Sequence, residues 1–218
     1  MNLNIPYMET DNKLLNDAYR IAAGDIVGNI VYYQNGLLTE EKPCMIAGLD
    51  YNTPWTRDTA INIWNALSIL SSEVSKNTLL AVLEEEEGNI YIGGQYWDSI
   101  IWMIGAREYC RFHKDDNFYR LAFEAGRNSV HRLEEDEFDE EDGLFRGPAV
   151  YGDGIAAYPD KYSKCPNQGS GILEWVDYPG NPVYPKGYGI PMKALSTNCV
   201  YFKAYEILAE MAHALGEP

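Results

Sequence analysis

The sequence predicts an all-α fold of antiparallel helical hairpins, and three observations carry that expectation. Apolar residues recur at helical spacing in separate blocks: Ala60, Ile63, Trp64, Leu67 and Leu70; Ile101, Ile104 and Gly105 beside Trp102, Ala106 and Tyr109; Phe118, Leu121, Ala122, Ala125 and Gly126. Cap residues precede these blocks. The connections between blocks alternate in kind: one set is short and acidic, the other long, aromatic and glycine-rich. If neighbouring helices are antiparallel, the long connections gather at one end.

In chain order, Asp11 or Asn12 can cap a first helix running to about Gln34, with Leu14, Leu15, Ala18, Ile21 and Ala22 at helical spacing. Gly24 and Gly28 weaken its middle. The β-branched stretch Ile26–Tyr33 is open to a strand reading but is assigned here as helical or irregular. Pro54 disfavours helix for Thr53, so the chain arrives extended at Trp55 and a helix starts with Thr56 or Asp58 as N-cap. A shorter helix capped by Ser71-Ser72-Glu73 carries Val74, Thr78, Leu79, Val82 and Leu83, and is expected to end in a solvated Glu84–Glu87 tail with Gly88 as C-cap. Asp98 is a natural N-cap for a helix to about Phe112, and Asp115 or Asp116 for one to about Leu133. The charge run Glu134–Asp142 reads as a solvated helix end or loop and fails the EF-hand template. A Gly/Pro/Tyr-rich region, Gly143–Pro191, shows little periodicity; loops this long inside a compact domain are usually functional. A last helix is expected from about Ser196 to Leu215, with Tyr201, Tyr205, Leu208, Ala212 and Leu215 on one stripe and Gly216 as stop.

A chain of 218 residues, 46% hydrophobic and 23% charged, suits a single folded domain. Its formal net charge of −16, from 33 acidic and 17 basic residues, repels phosphate backbones and anionic lipid and argues against nucleic-acid or membrane-surface partners. No apolar run is long enough to span a bilayer. The opening Met1-Asn-Leu-Asn-Ile-Pro lacks a signal-peptide pattern, which implies a cytoplasmic location if Met1 is the natural start. The four cysteines, Cys44, Cys110, Cys165 and Cys199, show no zinc-ligand spacing and read as buried thiols. The three histidines are scattered, and no phosphate-loop or dinucleotide fingerprint occurs, so neither metal nor cofactor is expected.

Two clusters carry candidate chemistry. In Tyr51-Asn-Thr-Pro-Trp-Thr-Arg-Asp58, Trp55, Arg57 and Asp58 group at the mouth of a helix. An indole face can line the apolar side of a pyranose, while a guanidinium and a carboxylate supply donor and acceptor to adjacent hydroxyls. The plain alternative is a helix cap with an Arg–Asp pair and a boundary tryptophan. Gln95, Trp97 and Asp98 fall in the next long connection. In the second cluster, Tyr151-Gly-Asp-Gly154, Asp153 lies between glycines that allow close backbone approach to a ligand, and its carboxyl could serve as a general acid. A simple turn is the alternative there.

The run Thr53-Pro-Trp-Thr-Arg-Asp-Thr-Ala-Ile-Asn-Ile-Trp-Asn-Ala66, together with Gly94-Gln-Tyr-Trp-Asp-Ser-Ile-Ile-Trp102, Gly143-Leu-Phe-Arg-Gly-Pro-Ala149, Tyr151-Gly-Asp-Gly154 and Ala194-Leu-Ser-Thr-Asn198, resembles bacterial six-hairpin glycosidases. The nearest relatives look like the mannosylglycerate-hydrolase-like and family 63 glycoside hydrolases, over roughly Tyr51 to Gly216. The resemblance implies a partial (α/α)6 toroid and hydrolysis of an α-glycosidic bond with inversion. It implies that Arg57 and Asp58 hold sugar hydroxyls and that Trp55 lines the wall. Gln95, Trp97, Asp98 and Tyr151 would stand at the same mouth, with Asp153 as general acid. The expected partner is an oligosaccharide or small glycoside of gluco or manno type.

The chain departs from the family in one respect. Inversion needs a second carboxylate ~6.5–9.5 Å from the acid, which family members carry in the later half of the barrel. None of Asp160, Glu174 or Asp177 fits that role. The predicted helices also fall short of the twelve in a closed ring, so the missing half of the barrel is an implied partner. The competing reading is a non-catalytic carbohydrate-binding helical module that keeps the Trp55–Asp58 platform. A sugar isomerase or epimerase ranks last, because the histidines it needs as acid and base are not in the long loops.

Overall fold

The computed structural model describes residues 5–48, 50–94, 98–147, 149 and 193–217. The described residues are mostly helical, as the patterning predicts, with three small antiparallel hairpins of strand among them. The elements are α1 (Lys13–Gly28), β1 (Ile30–Tyr33), β2 (Lys42–Met45), α2 (Thr56–Asn62), a π-helical segment (Ile63–Leu67), α3 (Ser68–Leu70), α4 (Ser72–Ala81), β3 (Leu83–Glu86), β4 (Asn89–Ile92), α5 (Asp98–Phe112), α6 (Asp116–Glu137), β5 (Phe138–Asp139), β6 (Leu144–Phe145) and α7 (Leu195–Leu215).

Specific contacts fix the helix directions. Arg57 meets Asp98, Ala60 crosses Gly105, and the Ser68 carbonyl receives His113, so the α2–α3 rod and α5 run parallel. Helix α4 runs the other way: Lys76 near its start reaches Asp115 at 2.6 Å, while Val82 beyond its end accepts from Gly93. Helix α6 is antiparallel to α5, with Tyr109 against Phe118 at one end and Met103 against Gly126 at the other. Helix α7 is antiparallel to α6 in turn, pairing Tyr205 with Glu134 and Leu208 with Gly126. The N-terminal ends of α2, α5 and α7 therefore lie at one end of an alternating stack. Between the rods lies a core with Ile63, Leu67, Leu79, Trp102, Phe118, Ile207 and Met211 all but fully buried.

Several sequence expectations are corrected. The first helix stops at Gly28, and Ile30–Tyr33 is a strand paired in register with Lys42–Met45. That hairpin is held from outside its own sequence: Thr78 Oγ1 accepts from Met45 N at 3.0 Å and Asn77 donates to Pro43 O at 3.2 Å, both from α4. Helix α1 buries no residue, and Leu14, Leu15 and Ile21 are exposed. The glutamate run after Leu83 is not a helical tail. Helix α4 ends at Ala81, where its last carbonyls are taken by Leu37 N–H and the Asn35 amide. The chain continues as β3, and Glu87 and Gly88, with φ of 52° and 81°, form the turn to β4. Two positive φ values suit the primed turns that match strand twist, so Gly88 serves a hairpin rather than a helix cap.

The helix after the opening motif bends its pattern at the π segment, where the wider turn shifts the buried face. Ile63 and Leu67 go inward as expected, but Trp64 is exposed. Helix α6 runs past Leu133 to Glu137, and the rest of the acidic run makes β5 and its turn, with Asp139 and Asp142 on Lys193. In α7 Tyr201 is buried as expected, stacked on Phe145 at 3.6 Å, and the fully buried seam continues through Ala204, Ile207 and Met211, with Leu208, Ala212 and Leu215 partly buried beside it. Cys44 is buried and Cys110 partly so, and burial pushes both thiols up to about 12, but Cys199 is exposed. Cys165 lies outside the described residues.

Candidate functional site

The extended approach to the site is pinned before the helix begins. The Tyr33 hydroxyl lies 2.9 Å from Thr53 Oγ1, and Ala47 N–H donates to Thr53 O. The N-cap of α2 is Trp55, in extended conformation and without a capping side chain. Neither expected cap does that job. Thr56 is the first helical residue, and its hydroxyl donates to Gly93 O at 2.8 Å, tying the start of α2 to the segment that leads into α5. Asp58 lies in the first turn, where a carboxylate favours the helix dipole.

Asp98 is likewise the first residue of α5 instead of its cap, and its side chain is 1% exposed. Arg57 Nη1 donates to both of its oxygens, at 3.0 and 2.8 Å. This is a buried charge-assisted pair between two helix starts, which makes the Arg–Asp pairing one across helices and not the local one with Asp58. Two glycines permit it. At Gly94, with φ +119°, a Cβ would stand 2.6 Å from Asp98 Cβ. At Gly105 a Cβ would stand 2.8 Å from Ala60 Cα, so only glycine lets α2 and α5 cross this closely.

The Arg57 guanidinium also lies 4.9 Å from the centroid of the Trp55 ring, and Tyr51 meets that indole edge-on at 6.2 Å. The indole is thus held from two sides. Its Nε1 is buried and has no hydrogen-bond partner among the described residues, an unusual state for a buried donor.

Trp55 and Asp98 line a common cleft of about 290 Å³ with Asn35, Thr53, Glu84 and Gly94. Arg57 stands behind Asp98, and neither it nor Asp58 is part of the lining. Gln95, Trp97, Tyr151 and Asp153 lie outside the described residues, as do Asp160, Glu174 and Asp177. Of the eight residues singled out in the sequence, Trp55, Arg57, Asp58 and Asp98 are described, and the first, second and fourth are in mutual contact or share the cleft.

Glu84 is the lining residue that sequence reasoning missed. As part of a glutamate run it read as a solvated tail; as a strand residue it points to one face with its cross-strand partner Tyr91. The signal was present in Ile90-Tyr-Ile92, whose β-branched and aromatic character after the Glu87–Gly88 turn fits a strand better than a loop. Among the described residues, no group of histidine, cysteine, aspartate and glutamate is arranged to hold a metal ion. No helix among the described residues is long and apolar enough to cross a membrane. No protein family, curated protein or solved structure matches this chain.

Proposed function

We propose that the cleft between Trp55 and Asp98 holds a sugar ring in the cleavage subsite of an inverting α-glycosidase. One observation supports this reading above the others: the Trp55 indole lines the cleft beside a carboxylate that Arg57 holds rigid. An oriented acceptor mounted next to an aromatic wall is the complement of a ring that carries hydroxyls on its edge and C–H groups on its face. Arg57 acts through Asp98 in this reading, as a positioning residue. Asp153 would donate the proton to the leaving glycosidic oxygen, and a second carboxylate would activate water on the opposite face of the ring.

Titration of the full chain with α-gluco, α-manno and α-galacto disaccharides tests this. Saturable binding should weaken about tenfold in Trp55→Ala, the effect of roughly 1.4 kcal/mol. Asp153→Asn should retain that binding while losing any release of inverted sugar, followed by NMR of the anomeric proton. Absence of binding to every disaccharide, or binding indifferent to Trp55, rules the proposal out. Saturable, Trp55-dependent binding without hydrolysis, even with the other half of the barrel supplied, would favour the alternative of a carbohydrate-binding module.

A further inference from the structure

Glu84 changes what the cleft can select. It stands on β3 with its carboxylate against Gly93, where a Cβ would collide with it and would also come within 2.9 Å of Val82 O. Glycine at that position leaves the room that the carboxylate occupies beside the cleft.

Two carboxylates line the cleft, and they differ in electrostatic state. The charge of Asp98 is balanced by Arg57 at 2.8 Å. Glu84 has no ion-pair or hydrogen-bond partner among the described residues, and no lysine or arginine is part of the described lining. The guanidinium docked on the same hairpin, Arg132, is engaged elsewhere: it pairs with Glu86 at 2.7 Å and lies 3.5 Å over the ring of Tyr91. The described lining therefore carries a surplus negative charge, in a chain whose net charge of −16 reinforces it.

We propose that Glu84 sets the charge selectivity of this cleft, which takes an amino sugar ahead of the matching neutral sugar and a neutral sugar ahead of a uronic or sulfated one. The inference rests on the reading of the cleft as a sugar site. A neutral hydroxyl donates a hydrogen bond assisted by the Glu84 charge alone, whereas a ring ammonium brings a charge of its own to the bond, and an anionic substituent meets repulsion with no cation in the described lining to offset it. Because Glu84 is exposed, solvent screening keeps the preference modest, about fivefold for each step.

The test is a titration of the full chain with methyl glucoside, its 2-amino-2-deoxy counterpart and methyl glucuronide, at low and at high ionic strength. Wild type should rank them amino, neutral, acidic, and molar salt should compress that ranking. Glu84→Gln, which keeps the side-chain shape, should bind all three about equally at low salt. Trp55→Ala should weaken all three while preserving their order. A ranking unchanged in Glu84→Gln overturns the role of Glu84 and leaves the sugar site standing, whereas failure of wild type to bind any of the three overturns both. A structural role for Glu84 would move all three affinities together and would not remove the salt dependence of their ratio.

Discussion

Removing Arg57 should destabilise the chain far more than a surface ion pair would. Its partner, Asp98, is 1% exposed, and the Arg57 side chain itself is 13% exposed. In Arg57→Met, a carboxylate stays in that environment without the guanidinium nitrogen that bonds both of its oxygens, and breaking a buried pair from one side costs about 3–5 kcal/mol. For a chain of this length that corresponds to a fall in Tm of roughly 6–20 °C. Asp98→Leu should cost less, since the guanidinium lies nearer to solvent than the carboxylate and keeps its contact with Trp55 at 4.9 Å. The double variant, with neither charge buried, should recover much of the loss, so the two single effects are expected to be strongly non-additive. Urea denaturation followed by far-UV circular dichroism gives all four corners of the cycle. A cost below about 1 kcal/mol for Arg57→Met, or simple additivity, would refute the claim that this pair joins the two helix starts.

Two further outcomes follow from the packing. Gly105→Ala should lower the urea midpoint by an amount equivalent to about 1–3 kcal/mol, because the added methyl meets the backbone of Ala60, which cannot rotate away; a midpoint equal to wild type would mean the helices do not cross there. At Asp115, burial raises the carboxyl's pKa, but the Lys76 ammonium and the Phe118 N–H outweigh it and hold the group below its ordinary value of 3.8. A depressed folded-state value stabilises the fold above the unfolded value and is lost as pH falls through the folded one. Lys76→Met should therefore flatten the loss of stability below pH 3.8, and an unchanged slope would contradict the pairing.

Much of the helical frame is legible in the sequence. Asp115 caps α6 as its position before Asp116-Asn-Phe suggests, Gly216 ends α7, and the α5 periodicity runs to Phe112 as expected. These are local effects, in which a side chain satisfies a backbone group a few residues away or an apolar stripe repeats every turn. The grouping of Trp55, Arg57 and Asp98 at one end was also legible, because alternating connections in an up-and-down stack return to the same side. The strands were legible only in part, as β-branched or aromatic character at Ile30–Tyr33 and Ile90-Tyr-Ile92. Ile30–Tyr33 and Leu83–Glu86 each need a partner strand and an abutting helix to be stable, and the sequence of either alone is compatible with helix or coil.

The site divides in the same way. That an indole, a guanidinium and carboxylates come near one another was determined by the sequence, through helix starts that carry them. Which acid Arg57 would hold was decided by the tertiary structure. Asp58 is its chain neighbour, yet Asp98 receives it, because Gly105 admits Ala60 and Gly94 leaves room for the Asp98 side chain. The entry of Glu84 into the cleft was decided there too, since a strand alternates its side chains between faces and only pairing with β4 determines which face meets Gly93. Local propensity acts over one helical turn; the choice of ion-pair partner and strand face depends on residues tens of positions apart, which only the packed fold brings within bonding distance.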